Sequence, residues 1–277
     1  MNKIYATLLV HFKNNNNGGA MTRFYTIVLS LCFSCVTFAQ KPSLNFYTEI
    51  SPPGNYLDES GILVGSSVEM IEELNRLAGY RVKTKVMPWT RAFNTVLKTP
   101  NTALFSTSRT SEREQQFHWI GPLLRVKWVL YKHYSSALKI NSLEDAKQIH
   151  SIAATRNDAK ANYLLSLGFN NLDLSEDNVA RMRKLYANHN DVILTTNLGV
   201  QRLAELAFLD PNELEPALEI KANDIYLAFT KDTDTEIIEA YQKAYRQLFQ
   251  SAVYYEIIVK WYGEKPAQEI IKSLQSQ

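Results

Sequence analysis

From Leu44 onward the chain alternates two hydrophobic patterns. Short apolar or period-two runs predict strands at 44–50 ("LNFYTEI"), 81–88 ("RVKTKVMP"), 102–106 ("TALFS"), 127–134 ("KWVLYKHY"), 151–155 ("SIAAT"), 191–196 ("DVILTT") and 225–230 ("IYLAFT"). Between them, apolar residues return every three or four positions and predict helices at 66–80, 90–98, 142–148, 157–169, 175–188 and 197–208. Two more helices close the chain, at 235–249 and 254–263. The boundaries carry local signals. Ser66 and Glu69 have capping-box spacing, and Gly79 and Gly168 stand where helices stop. Asn157 or Asp158 caps one helix and Ser175 another.

Alternating strands and helices predict an α/β fold with largely parallel sheets. Two sheets are expected rather than one, since about ten strands in a single open sheet is uncommon. "WIGPLLRV" reads as a crossing between two lobes, with Gly121 and Pro122 breaking the pattern, and a second crossing falls near "IKANDIYLAFT". One lobe then comes from residues 40–124 and 225–277, the other from 125–224. A cleft between two lobes is a preferred place for a small molecule.

The N-terminal end differs. Residues 1–20 hold "NNNNGG", a polar run that builds no core. Met21 then opens a short basic start (Arg23), an apolar run and the small residues Thr37 and Ala39. This layout predicts a secretory signal peptide cut after Ala39, with Met21 as the functional start and export to the periplasm. A membrane anchor is the alternative, but the run of about 15 apolar residues falls short of the ~20 that a span needs. Both cysteines, Cys32 and Cys35, lie in this segment, so the mature chain offers no disulfide or thiol chemistry. The chain has 30 basic and 28 acidic residues; without Lys3, Lys13 and Arg23 the balance is 27 to 28, which argues against nucleic acid as a partner. The five histidines show no metal-ligand spacing, and no phosphate loop or hydrolase motif is present. No cofactor, metal or catalytic residue is expected.

"SRTSERE" (108–114) is the most concentrated chemistry, leaving the strand "TALFS" directly into hydroxyls and guanidinium groups. Two readings stand. A helix starting after Thr110 would gather Ser106, Ser108 and Arg113 around an anion, with Arg113 offering a planar fork for a carboxylate. Alternatively, Arg109, Glu112, Arg113 and Glu114 form weak solvated pairs.

"STSRTSER" followed by "FHWIGPL" resembles the signature of bacterial extracellular solute-binding proteins, family 3, the polar amino acid binding proteins of ABC importers. Similar pieces follow in the family's order: "ISPPGNYLDESGILVGSSVEMIEEL", "VMPWTRAFNTVL", "SIAATRNDAKANYL" and "DVILTTNLGVQRL". The resemblance spans 44–263. It implies a two-lobed, type II periplasmic-binding-protein fold with the ligand cleft between lobes. It also implies that Arg113 holds a ligand carboxylate, helped by Ser106 and Ser108. The departures are as informative. Ser51 and Gly54 stand where the family has aromatic residues, leaving Tyr56 and Trp89 as candidate stacking faces. Thr196, followed by Asn197, occupies the place of the ammonium-binding Asp. A neutral pair balances an amine poorly, which makes Glu49 a substitute candidate. In the "TRNDA" turn, where the family supplies backbone N–H groups, Arg156 and Asp158 add charge, Asp158 also being a natural helix cap.

The resemblance implies a monomeric, non-enzymatic solute-binding protein that takes a small carboxylate or amino acid and serves an ABC permease or a membrane sensor. Two other readings remain open. One is an enzyme on the same fold, a dehydratase of cyclic carboxylates, for which Glu49 or Asp158 would be the acid–base group. The other is a degenerate receptor for a protein partner.

Overall fold

The computed structural model describes residues 42–275. The proposed signal peptide lies outside the described residues. Strand β1 (Leu44–Thr48) is apolar on both faces because parallel neighbours flank it on each side. These neighbours are β4 (Val82–Val86) and β5 (Thr102–Ser108). A two-residue hairpin, β2 (Tyr56–Leu57) with β3 (Leu63–Val64), forms a separate small ribbon. Two 17-residue strands follow, β6 (Phe117–His133) and β10 (Leu214–Thr230), paired antiparallel along their lengths. Strands β7 (Ile152–Thr155), β8 (Leu172–Ser175) and β9 (Val192–Thr196) complete one eight-stranded sheet, ordered β4-β1-β5-β10-β6-β9-β7-β8.

This corrects the expectation of two sheets. The chain does not break at Gly121 and Pro122; β6 runs through the crossing, and so does β10 at "IKANDIYLAFT". The outer ends of the two strands pair with different neighbours. Ile225–Phe229 of β10 runs beside β5, whereas Trp128–Tyr131 of β6 runs beside β9. A single hydrogen-bonded sheet thus carries two lobes joined by a two-stranded ribbon. At the crossing, Arg125 and Asp224 face each other in register and form a bidentate pair, Nε–Oδ1 2.6 Å and Nη2–Oδ2 2.9 Å.

Helix α1 (Ser66–Ala78) buries Val68, Met70, Ile71, Leu74 and Ala78 at helical spacing, and Gly79 ends it in the left-handed conformation, φ 72°. The capping box does not form. Gly65 is the N-cap, and Ser66, already helical, shares a 2.7 Å hydrogen bond with the Tyr262 hydroxyl. Helix α2 (Trp89–Val96) covers the same lobe. The second lobe has α3 (Leu143–Gln148), α4 (Ala159–Ser166), α5 (Asn178–Tyr186) and α6 (Val200–Leu206). Asp158 caps α4, accepting from Ala161 N at 2.7 Å. Asp177, not Ser175, caps α5, because Ser175 is the last residue of Leu172–Ser175, a strand where no element was expected before Ser175.

Helices α7 (Thr235–Phe249) and α8 (Ala252–Tyr262) pack against the core that holds Leu44, Phe46 and Leu74, and α9 (Glu264–Gln275) is an unpredicted addition. Their anchor is aromatic: the Tyr241 ring lies 4.8 Å from Phe229 and 5.8 Å from Phe46. Its hydroxyl is satisfied by Asn75 Oδ1 at 2.6 Å, so the ring can be fully buried. The anticipated helix after Thr110 is absent. A turn and one short 3-10 segment, Glu114–Gln116, stand there instead.

Candidate functional site

The site begins at the turn after β1. Ser51 and Asn55 exchange backbone hydrogen bonds of 2.7 and 3.0 Å around a cis Pro52–Pro53 peptide. Gly65 packs against this turn with φ +138°, and a Cβ there would meet the Gly54 carbonyl oxygen at 2.2 Å. Both the strained conformation and the backbone neighbour forbid a side chain. Gly65→Ala is therefore expected to cost about 3 kcal/mol, seen as a lowered urea midpoint at unchanged slope.

The turn fixes Asn55, which is buried and ties two strand ends together. Its Nδ2 donates to Thr48 Oγ1 (2.8 Å) and to the Glu49 carbonyl (2.5 Å), and its Oδ1 accepts from the Ser106 hydroxyl. Ser106 itself has φ +58°, rare for a residue with a Cβ. Register explains it. Leu104 pairs with Ala228 and Thr107 with Tyr226, so Phe105 and Ser106 together oppose Leu227. This is a β-bulge, the device that re-aims a strand end. Beyond it, Ser108 Oγ accepts from Asn223 Nδ2 at 2.9 Å.

The two arginines of "SRTSERE" then part company. Arg109 pairs with Glu114 at 2.5 Å, half-exposed. Arg113 turns inward and is only 5% exposed. Its guanidinium stacks 4.9 Å from the Trp89 ring and 5.0 Å from Phe93. Its hydrogen bonds are long, 3.4 Å to the Ser108 carbonyl and 3.4 Å to the Asn157 carbonyl. No carboxylate of the described residues forms an ion pair with it. Burial pulls its pKa down from the usual arginine range, against the pull of Asp158, Glu112 and Glu49.

Asn157 comes from the second lobe, so Arg113 sits where the lobes meet. Two sets of bonds cross the cleft. Trp89 Nε1 donates to the Asn157 carbonyl at 2.8 Å, and Asn157 Nδ2 donates to Thr90 Oγ1 at 3.3 Å. Asn178 Nδ2 donates to the Ile50 carbonyl at 2.7 Å. Glu49, Asp158, Lys160 and the buried Arg181 form a group of charges near enough for Glu49 to feel the other three. Burial pushes the Glu49 carboxyl up to about 7; Lys160 opposes this, Asp158 adds to it, and Arg181 and Arg113 oppose it further. Asp158 Oδ2 pairs with Lys160 Nζ at 2.6 Å. Glu49 also lines a cavity of about 450 Å³ with Val86, Met87, Glu176 and Asp177.

The structure therefore brings together Arg113, Trp89, Glu49 and Asp158. Ser106 and Thr196 share a small adjoining space of about 50 Å³ with Asn55 and Pro52. Tyr56 and Arg156 are engaged elsewhere. The Tyr56 ring packs edge-on at 6.2 Å from Trp261, with the Arg202 guanidinium 4.9 Å over it. Arg156 is exposed and donates to the Leu174 carbonyl at 3.0 Å. The sequence reading missed Asn55, Asn157, Asn178 and Arg181. One signal was available: Arg181 lies three residues after Asn178 and four before Leu185, on the stripe that α5 buries.

The model of bacterial extracellular solute-binding proteins, family 3, matches residues 44–264. No curated protein sequence matches the chain. Solved structures do, at identities that speak for the fold alone. A histidine kinase sensor domain with similarity to periplasmic binding proteins superposes with TM-score 0.72 at 20% identity, covering 80% of this chain and 96% of that one. The arginine-, lysine-, histidine-binding protein of Geobacillus stearothermophilus gives 0.70 at 20%, over 80% and 96%. An ancestral amino acid-binding protein, a precursor of cyclohexadienyl dehydratase, gives 0.68 at 16%, over 79% and 95%. With most of the described chain inside the family match and the two-lobed α/β fold in place, the protein belongs to the bacterial extracellular solute-binding proteins, family 3.

Proposed function

We propose that this solute-binding protein captures a small carboxylate-bearing molecule, an amino acid or close relative, between the lobes formed by 40–124 with 225–277 and by 125–224. One observation carries the reading: Arg113 is a buried guanidinium at the lobe junction with two long hydrogen bonds and, among the described residues, no carboxylate paired to it. Burying an unpaired charge is costly, and an incoming carboxylate would remove that cost by taking both prongs of the fork. Trp89 supplies a ring wall, and Ser106, Ser108 and Thr196 a neutral polar flank. Glu49 is the acid closest in character to an amine partner. Closure of the lobes would bury the ligand, and the closed form, acting as a monomer in the periplasm, would be read by a membrane permease or a sensor.

The test is a melting-temperature panel on the full chain: common amino acids, the amines that lack their carboxylate, and the acids that lack their amine. A ligand at 100 times its dissociation constant adds about 2.7 kcal/mol, an easily read shift. Acids should raise the melting point and amines should not. A panel in which only amines act, or nothing does, ends the reading.

A second reading has its own observation. A carboxyl held near 7 inside a cleft, as Glu49 is, has the proton affinity of a general acid or base. Mass spectrometry of any stabilising acid after incubation separates the two, since a binder returns it unchanged.

A further inference from the structure

The least economical group in the second lobe is Arg181. It is 2% exposed on α5, and no carboxylate of the described residues forms an ion pair with it. Its Nη1 reaches the carbonyls of Ala153 and Leu194 only at 3.3 and 3.5 Å, and its Nε has no acceptor among the described residues. An apolar side chain of similar volume would serve the core as well or better. Its one close bond, from Nη2, goes to Asn178 Oδ1.

Asn178 is the residue that reaches the other lobe. Its Oδ1 also accepts from Thr155 Oγ1 at 3.0 Å, so both neighbouring donors hold the oxygen end of the amide inward. The nitrogen end must then face out, and it donates to the Ile50 carbonyl at 2.7 Å. Thr155 begins the turn that carries Asn157, the residue of the other interlobe bonds.

We infer that Arg181 is a positioning residue for an interlobe latch: it orients the Asn178 amide so that the second lobe clasps the Ile50 carbonyl of the first. The latch closes at the wall of the cavity that Glu49 lines, where Ile50 and Asn178 both stand. It sets how readily the lobes part, and hence how quickly a captured molecule leaves. The buried charge is tolerated because it discriminates between the ends of an amide, which an apolar residue cannot do.

Asn178→Asp separates this role from mere support. A carboxylate there still accepts from Arg181 and Thr155, and gives Arg181 the charge partner it lacks. It cannot donate to Ile50. The readout is hydrogen exchange of the Trp89 indole N–H, followed by NMR on the full chain, with the signal assigned by Trp89→Phe. That group bonds across the cleft at the other clasp and touches neither residue. Asn178→Asp should hold or raise the melting temperature while speeding this exchange about five- to tenfold, the worth of one hydrogen bond. Arg181→Met should speed it equally, and the double variant Asn178→Ala with Arg181→Met no more than either change alone. If Arg181→Met does not fold, Arg181→Lys, which keeps the charge but not the fork, replaces it with the same expectation. Unchanged indole exchange in Asn178→Asp removes the latch. Unchanged exchange in the Arg181 variant, or additive effects, removes Arg181 from it.

Discussion

Replacing Arg113 by methionine is expected to abolish carboxylate binding while leaving the ligand-free protein as stable as before or more so. The two halves of this result have one origin. In the described structure the guanidinium is buried without a carboxylate, held by two 3.4 Å contacts and the faces of Trp89 and Phe93. Methionine keeps an unbranched stem against those rings and removes the desolvated charge. Losing one partner of a buried, hydrogen-bonded charge pair costs about 2–5 kcal/mol of binding, or at least thirtyfold in affinity. Calorimetric titration with an acid that stabilises the parent chain, beside melting curves of both chains, gives the answer. A variant that binds within threefold of the parent would show that Arg113 is a structural cation.

The second large effect belongs to Glu49 and is a dependence on pH. Its carboxyl is pushed up to about 7 in the folded chain, against an ordinary 4.5 once unfolded. Between those values the folded state holds more protons than the unfolded state, so stability falls as pH rises from about 4.5 to 7 and levels off above. The gap corresponds to about 3 kcal/mol. Glu49→Gln, which cannot ionise, should match the parent near pH 4.5 and exceed it by up to that amount at pH 8, measured by urea unfolding at both values. Ligand chemistry follows the same proton. A solute that sets an ammonium group beside Glu49 favours the ionised form, releases a proton on binding and gains affinity as pH rises through 7. A solute with a carboxylate alone does not. Equal urea profiles for parent and variant across this range would mean that Glu49 faces water.

The periodic parts of the fold were the most legible. Seven strands were legible, those buried on both faces most plainly, since they read as apolar runs, "IAAT" and "VILTT" among them. The cap Asp158 and the stop Gly79 were legible because each is a local arrangement of a few backbone groups. The strand Leu172–Ser175 was not: its four residues are all half-buried and run almost directly into a helix. The joining of two lobes through one sheet was hidden too, since Gly121 and Pro122 look like a break until their cis peptide is accommodated within β6.

At the site, the two readings of "SRTSERE" each describe one arginine. Arg109 makes the solvated pair, and Arg113 is the buried cation. Spacing alone could not divide them, because which one turns inward depends on the bulge at Phe105–Ser106, and that bulge is set by the register of β10, more than a hundred residues away. Asn157, expected only as a possible helix cap, and Asn178 escaped notice as site residues for a similar reason. An asparagine is a common turn residue, and only the approach of a second lobe gives its amide a distant partner.

The position of β10 has a further consequence, for the order in which the chain can assemble. It is the last strand in sequence, yet it lies between β5 and β6. The pairs β7–β8, β7–β9 and β6–β9 all close within residues 128–196, over comparatively short loops. The first lobe has no such freedom: β5 is left with an open edge until Ile225–Phe229 returns to fill it. Pairing of long sequence separation is slow, and an open strand edge is a template for association with other chains. A chain emerging from its N-terminal end therefore completes the inserted lobe first and carries an unfilled slot in the other. A truncation just before Ile225 would leave that slot permanently open.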